Sequence, residues 1–469
     1  MLNQRARQPI DRFGTRQYNG ENMRLRLIAC LAGALATGPL LADDLMTAYR
    51  EGLASDAAYG AARASYQASK EKIVQGRALL LPNINLTANA NYNNVDTNYG
   101  KTIPGLTAGA LNYGSYGAGL NLTQPIYRQQ NNVIYEQAGL QVTQAESQLV
   151  LAGQDLMLRV SQAYFDVLRG QYQLLNVQAQ KSATSEQLAQ AKRNFEVGTA
   201  TITDTYDAQA RYDLIVAREI AATNDIQVKV HALQQIIGRL PGPLNTVVGP
   251  VTLNAPEPND MERWVEAAYA NSLQVKIAKY NLDIAVKEVD KTRYANYPTL
   301  DAVAGANYNY QGDSTLGTSQ GVRSGVVGLQ FAIPIYSGGS LSSRVREAIA
   351  NRTKAEQDLE AARRTVAQAV RQSFIAVNTS LSEIKALQQA VASNKLSVEA
   401  TKLGQEVGVR TQVDVLNALG LLFDAQFNLV NAYYVAILAQ LKLKADVGKL
   451  TDADIENVNR LLQAPIAKN

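Results

Sequence analysis

Catalysis needs reactive side chains in clusters, and this chain offers few. Its 469 residues contain one Cys, Cys30, and one His, His231, whereas zinc sites and thiol or imidazole chemistry need several such groups converging. There is no G-x-x-x-x-G-K-[ST] phosphate cradle, and a single His with a single Cys offers no cluster of catalytic partners, so nucleotide chemistry and hydrolysis have no support and no cofactor or metal is expected. The residue types that do recur at a fixed spacing form two short turns. Glu196-Val197-Gly198 precedes Thr201-x-x-Asp204, and Glu406-Val407-Gly408 precedes Thr411-x-x-Asp414. A Thr with an acid three residues on fits a helix capping box, the acid sitting at the favourable positive end of the new helix. Gly198 and Gly408 suit the left-handed position that ends the helix before it.

The elements that would hold these turns come as a tandem repeat. Ala48-Tyr49 echoes Ala268-Tyr269, Leu81-Pro82 echoes Tyr297-Pro298, and Ala90 to Asn93 returns as Ala306 to Asn309. Gln124-Pro125-Ile126-Tyr127 returns as Ile333 to Tyr336, again in order. One duplicated unit explains the constant order. The first repeat spans 43–240 and the second 260–448, with a Pro-rich linker over 241–259 and a polar tail over 449–469. Residues 1–42 read as an N-terminal extension and signal peptide: Met23-Arg24-Leu25-Arg26, an apolar stretch, and an expected cleavage after Ala42 that removes Cys30. Those residues carry six arginines against two acids, leaving 39 basic and 39 acidic residues beyond them. A neutral mature chain argues against a nucleic-acid partner. With a mean hydropathy of -0.17 and no run of 18 apolar residues, a bundle of membrane helices is excluded.

Each repeat reads helix, strand, loop, strand, very long helix, turn, helix. Apolar or small residues recur in steps of four and three from Leu341 through Val345, Ala348, Ala355, Leu359, Ala362 and Val366. After a one-residue shift the pattern resumes at Val370 and runs through Phe374, Val377, Leu381, Ile384 and Val391. This is helix packed on helix with a stutter. Long helices are expected over about 128–196 and 341–406, each roughly 100 Å at 1.5 Å per residue. His231 is expected to pack between helices and Trp264 to anchor the second core. Strands are expected over about 83–93, 115–126, 299–310 and 323–335. In the first, Ile84, Leu86, Ala88, Ala90 and Tyr92 share one face and Asn83, Asn85, Thr87, Asn89, Asn91 and Asn93 the other. In the fourth, Val327, Leu329, Phe331, Ile333 and Ile335 share the apolar face. Strands of about ten residues with one apolar face, one polar face and Tyr near an end mark an outer-membrane β-barrel, a soluble sandwich with a wet outer face being the alternative. Tyr92, Tyr116, Tyr308 and Tyr310 are the expected membrane girdle. Four strands cannot close a barrel. Two copies would give eight strands and a filled lumen, three would give twelve and room for a channel, and the small polar face favours three.

With these residues in view the chain resembles the TolC family of outer-membrane efflux and type I secretion channels. The likeness runs over the whole mature chain, through Asp44-Leu45-Met46, Leu80-Leu81-Pro82, Pro334 to Gly339, and Val407 to Thr411 followed by Val413-Asp414-Val415-Leu416. The resemblance implies a mainly α fold with membrane β: a homotrimer whose 12-stranded barrel in the outer membrane of a Gram-negative bacterium continues into a long α-helical periplasmic barrel. It implies outer-membrane lipid, a periplasmic adaptor protein and an inner-membrane pump of ABC or proton-driven type as partners. It also implies that the turns 197–204 and 407–414, with Gly198, Thr201, Gly408 and Thr411, form the gated tip and adaptor-docking end. There Arg410 would contact Thr203 and Asp204 and Asp414 would ring the pore. Gln405 stands where relatives carry a gate Tyr, and Asn417 where they carry a second pore-facing Asp. A trimeric coiled-coil surface protein or adhesin with a barrel anchor is the alternative function.

Overall fold

The computed structural model describes residues 43–98, 100–101, 104, 108–247, 253–313 and 318–463; the expected signal peptide lies outside them. The first repeat opens with α1 (Leu45–Ser55) and α2 (Ala57–Ala78), followed by strands β1 (Asn83–Thr97) and β2 (Gly109–Tyr127) and helices α3 (Gln129–Glu196) and α4 (Ile202–Ile237). The second repeats the order with α5 (Met261–Asn271), α6 (Leu273–Tyr294), β4 (Thr299–Gln311), β5 (Gln320–Ala332), α7 (Ser340–Glu406) and α8 (Gln412–Asp446). Between the repeats lies β3 (Thr246–Val247), and α9 (Asp452–Asn459) and β6 (Leu462–Gln463) close the chain. The opening helix of each repeat is two helices rather than one. Asp56 ends α1 with an extended backbone and caps α2, its carboxylate accepting from the Tyr59 amide at 2.7 Å.

β1, β2, β4 and β5 form one antiparallel sheet in that order, so the two hairpins join through β2 and β4. The register puts Ala88 opposite Ala118, Ala118 opposite Tyr308 and Tyr308 opposite Arg323. Alternation therefore carries across all four strands. On the expected polar face Gly117 and Gly119 are buried, and a Cβ on either would overlap the amides of Asn309 and Asn307. The apolar face is open, with Leu86 76% and Leu329 69% exposed. β1 and β2 run past the expected ends, whereas β5 stops at Ala332. Ile333 and Ile335 are thus off the strand, because Pro334 cannot donate to the ladder.

The strands enter the long helices by two different joints. In the first repeat Arg128, one residue past β2, places Nε 2.8 Å from Asp301 Oδ1 and Nη2 2.5 Å from Oδ2 at the foot of β4. In the second, Gly338 and Gly339 turn the chain with φ of 59° and 80°, a region open to glycine. α3 and α7 then run 68 and 67 residues, about 100 Å. The buried residues of α7 include Ala348, Leu359, Val366, Val370, Phe374, Val377 and Ile384, the expected seam. Midway along α3, Leu156, Val160, Tyr164, Phe165 and Leu168 form the main core with Leu233, Ile437 and Leu441. A second core gathers Val265, Ala268, Val370, Phe374 and Val447. Trp264 packs half-buried at its edge and donates to the Pro258 carbonyl at 2.8 Å.

Two expectations are corrected. His231 does not pack between helices: it is exposed on α4, with Nδ1 2.9 Å from Gln234 Oε1 one turn on. The stretch after Val447 is not merely a polar tail, since Leu450, Ile455 and Leu462 enter the main core and β6 pairs with β3 from the linker. A capping box of Thr451 and Asp454 starts α9.

Candidate functional site at the helical tip

Both turns between long and short helices have the same construction. α3 ends at Glu196, Gly198 takes φ 77°, and the amides of Gly198 and Thr199 return to the carbonyls of Phe195 and Asn194 at 3.0 and 2.8 Å. α7 ends likewise, with Gly408 at φ 81° and the Val409 amide 2.9 Å from the Gly404 carbonyl. Orphaned carbonyls at each helix end are thereby satisfied. The next helix starts on a complete capping box. The Thr201 amide and hydroxyl donate to Asp204 Oδ2 at 3.0 and 2.8 Å, and the Thr411 amide and hydroxyl both donate to Asp414 Oδ2 at 2.9 Å. The Thr411 amide, then its hydroxyl, and the Arg410 charge hold the Asp414 carboxyl below the usual range despite some desolvation. Asp414 is therefore a fixed negative charge at neutral pH.

Between these caps lies a relay of amides that periodicity does not reveal. Gln405, at the end of α7, donates to Gln412 Oε1. Gln412 in turn donates to Gln187 of α3, to its carbonyl at 3.1 Å and to its Oε1 at 2.6 Å. Gln412 and Gln187 are only 7% and 8% exposed. Three helices from both repeats are thus tied by side chains that water barely reaches, flanked by Leu188, Ala191, Ala208 and Leu416 on one side and Val398, Val415 and Leu419 on the other. Asn417 lies one turn up α8 and accepts from Arg211 of α4 at 2.7 Å.

Not every expected contact forms inside one chain. Among the described residues no ion pair includes Arg410. Its aliphatic stem crosses Gly404, where an added Cβ would sit 2.8 Å from Arg410 Cγ. Thr203 and Asp204 lie in the first turn of α4, and the Asp204 carboxylate is engaged by Thr201. At the opposite end of the molecule three of the four tyrosines expected to form a girdle meet on the apolar face: Tyr116 stacks on Tyr310 at 4.6 Å and tilts against Tyr308 at 6.4 Å, while Tyr92 is 77% exposed.

A model of the outer membrane efflux protein family matches residues 48–239 and again residues 264–449, one match on each repeat. The chain belongs to the outer membrane efflux protein family. It is 34% identical over 434 residues to the outer membrane protein TolC of Vibrio cholerae, a match covering 92% of this chain and 96% of that one. To the proteases secretion protein PrtF of Dickeya chrysanthemi it is 29% identical, covering 92% and 94%. Its fold matches the solved CmeC outer membrane channel of Campylobacter jejuni with a TM-score of 0.74, at 15% identity over 97% of both chains. It is therefore an outer-membrane channel protein with a long periplasmic helical portion, and nothing in these likenesses supports the adhesin alternative. For this family member the two turns are the helix ends farthest from the membrane strands.

Proposed function

We propose that three copies of this chain close into a 12-stranded barrel and a helical tunnel that conducts efflux or secretion substrates outward, gated at the tip. The observation that carries this reading is the sheet order. β1 and β5 are the edge strands, each paired on one side only among the described residues, and hydrocarbon does not tolerate open backbone edges, so closure requires further copies. Apolar side chains left open along the tunnel helices, among them Leu214, Ile220, Val228, Leu403 and Leu421 at 54–68% exposure, supply surface for the same association.

In the trimer each Arg410, which forms no ion pair among the described residues of its own chain, is available to Thr203 and Asp204 of a neighbour. The buried Gln405–Gln412–Gln187 relay holds each subunit's tip together, and three Asp414 carboxylates would give the constriction a negative potential. Asn417 contributes no charge and is drawn toward Arg211, leaving the entrance less acidic than two carboxylates per chain would make it. A periplasmic adaptor docked on the exposed turns, and an inner-membrane pump of ABC or proton-driven type, would supply opening and energy. The resemblance to TolC and PrtF favours this partnership.

Native mass measurement in mild detergent, followed by planar-bilayer recording, tests the proposal. A trimer with cation-preferring conductance is expected, and Asp414→Ala should lower that preference while the trimer persists. A stable monomer or dimer would refute the closure, and unchanged selectivity in Asp414→Ala would remove Asp414 from the pore.

A further inference from the structure

The apolar face of the sheet carries one cation among the described strand residues, Arg323 on β5, with Tyr308 opposite it on β4 and Gly321 and Gly325 beside it on its own strand. Its guanidinium carbon lies 5.9 Å from the centre of the Tyr308 ring, on the strand beside it, and no carboxylate among the described residues pairs with it. Below it on the same face lie Ala306, Ala118 and Gly325, which with Leu86 and Leu120 line a shallow trough of about 540 Å³.

Height along the barrel decides what this arginine meets. Because the strands tilt, each residue climbs about 2.5 Å along the barrel axis, taking 3.3 Å per residue and a tilt near 40°. Arg323 stands nine residues above the periplasmic end of β5 at Ala332, and Tyr308 and Tyr92 stand nine above the ends of β4 and β1. All three are thus about 22 Å up. The apolar band of such a barrel is about 25 Å tall. A snorkelling arginine at that height places its head among the outer-leaflet headgroups, its stem in hydrocarbon.

We propose that Arg323, steadied by Tyr308, binds a phosphate of the phosphorylated glycolipid of the outer leaflet, with one acyl chain lying in the trough below. A guanidinium presents two parallel N–H donors to a phosphate, the aromatic ring restrains it from one side, and the small residues beneath leave room for a chain against the wall. The assignment rests on the barrel reading above, because only a closed barrel gives this face to lipid.

The test is native mass spectrometry of the purified, delipidated trimer with added bisphosphorylated lipid A, alongside the same lipid with its phosphates removed. The expected result is retention of up to three lipid A molecules per trimer, at least tenfold weaker for the dephosphorylated lipid and for Arg323→Ala, and partly restored in Arg323→Lys. Equal retention of both lipids by the unaltered protein would overturn the proposal without any variant having to fold, as would equal retention by Arg323→Ala. Displacement of lipid A by millimolar inorganic phosphate would also overturn it, marking a site for the free anion. Conductance of Arg323→Ala trimers in phosphatidylcholine bilayers is expected to match the parent, so a lipid result of either sign is separable from failure of the channel itself.

Discussion

Replacing Gln412 by Ala should open the resting tip. The side chain donates to Gln187 at 2.6 and 3.1 Å and accepts from Gln405, and both Gln412 and Gln187 are more than nine-tenths buried. Truncation leaves the Gln187 Oε1 and carbonyl without that donor in a site nearly closed to water. An acceptor abandoned in this way costs about 1–3 kcal/mol. Taking about 2 kcal/mol, the closed tip of each subunit loses a factor of roughly 30, since 1.4 kcal/mol is tenfold, and three subunits moving together lose about 6 kcal/mol. The exposed Arg211–Asn417 contact gives a built-in comparison, because a polar contact open to water is worth only about 0–1 kcal/mol. Asn417→Ala should therefore change little. The assay is single-channel conductance in planar bilayers, with susceptibility of cells to a large hydrophilic antibiotic as the parallel readout and trimer yield as the folding control. Gln412→Ala should raise both signals clearly above Asn417→Ala. If it conducts like the parent protein, or no more than Asn417→Ala, the amide relay does not hold the tip and the reasoning fails.

Removing Arg128 should destabilise the assembled barrel by about 2 kcal/mol per chain, discounted from the roughly 3–5 kcal/mol of a fully buried pair because the guanidinium remains 41% exposed while Asp301 is only 6% exposed; the double variant Arg128→Ala/Asp301→Asn should recover most of the loss in trimer melting. Ala88→Arg, halfway up the lipid face, should cost roughly 2–4 kcal/mol and reduce outer-membrane trimer, whereas Asn89→Arg in the lumen should be mild; equal losses on immunoblots would reverse the facing. Burial pushes the Asp446 carboxyl up, against the opposing Ser373 hydroxyl and Lys442 charge, so its ionised form is disfavoured by folding and stability falls as pH rises through its raised pKa. Asp446→Asn should raise the melting temperature at pH 7–8 and leave it unchanged near pH 3. Asp56 has the opposite sign: the Arg159 hydrogen bonds, ahead of burial, hold its carboxyl low, so its contribution is complete above the ordinary carboxylate range and disappears as pH falls through its lowered pKa. Asp56→Asn should lower neutral-pH melting and lose that effect in strong acid.

What the sequence made legible was whatever repeats at short range. The four-and-three spacing on α7, the alternation of β1 and the Thr-x-x-Asp turns each carry a local period, and each appears where it was read. The joints between distant segments carry none. Arg128 and Asp301 are 173 residues apart, and a lone Asp on a strand announces no partner. Gln187 and Gln412 escape for a related reason, since a glutamine on a long polar helix looks solvated until a second helix covers it. Ile455 is similar: one apolar residue in a polar stretch shows its burial only after the chain has folded back on Leu156 and Tyr164. Register belongs with these, for only the observed pairing brings Arg323 beside Tyr308.

The polar wall of the sheet is lined by Asn, Thr, Ser, Gln and Gly with a few valines, Leu111 and Tyr113, and its one acid among the described strand residues, Asp301, is neutralised by Arg128. The carboxamides of Asn307 and Asn309 spread over Gly119 and Gly117, presenting donors and acceptors side by side. Such a lining is nearly isopotential and can replace a few water contacts on cargo of either sign without holding on to it. In the proposed trimer, discrimination by charge would fall some 100 Å upstream, at the first narrow ring a substrate crosses, and the exit would act as a wet sleeve that lets go of whatever has already been admitted.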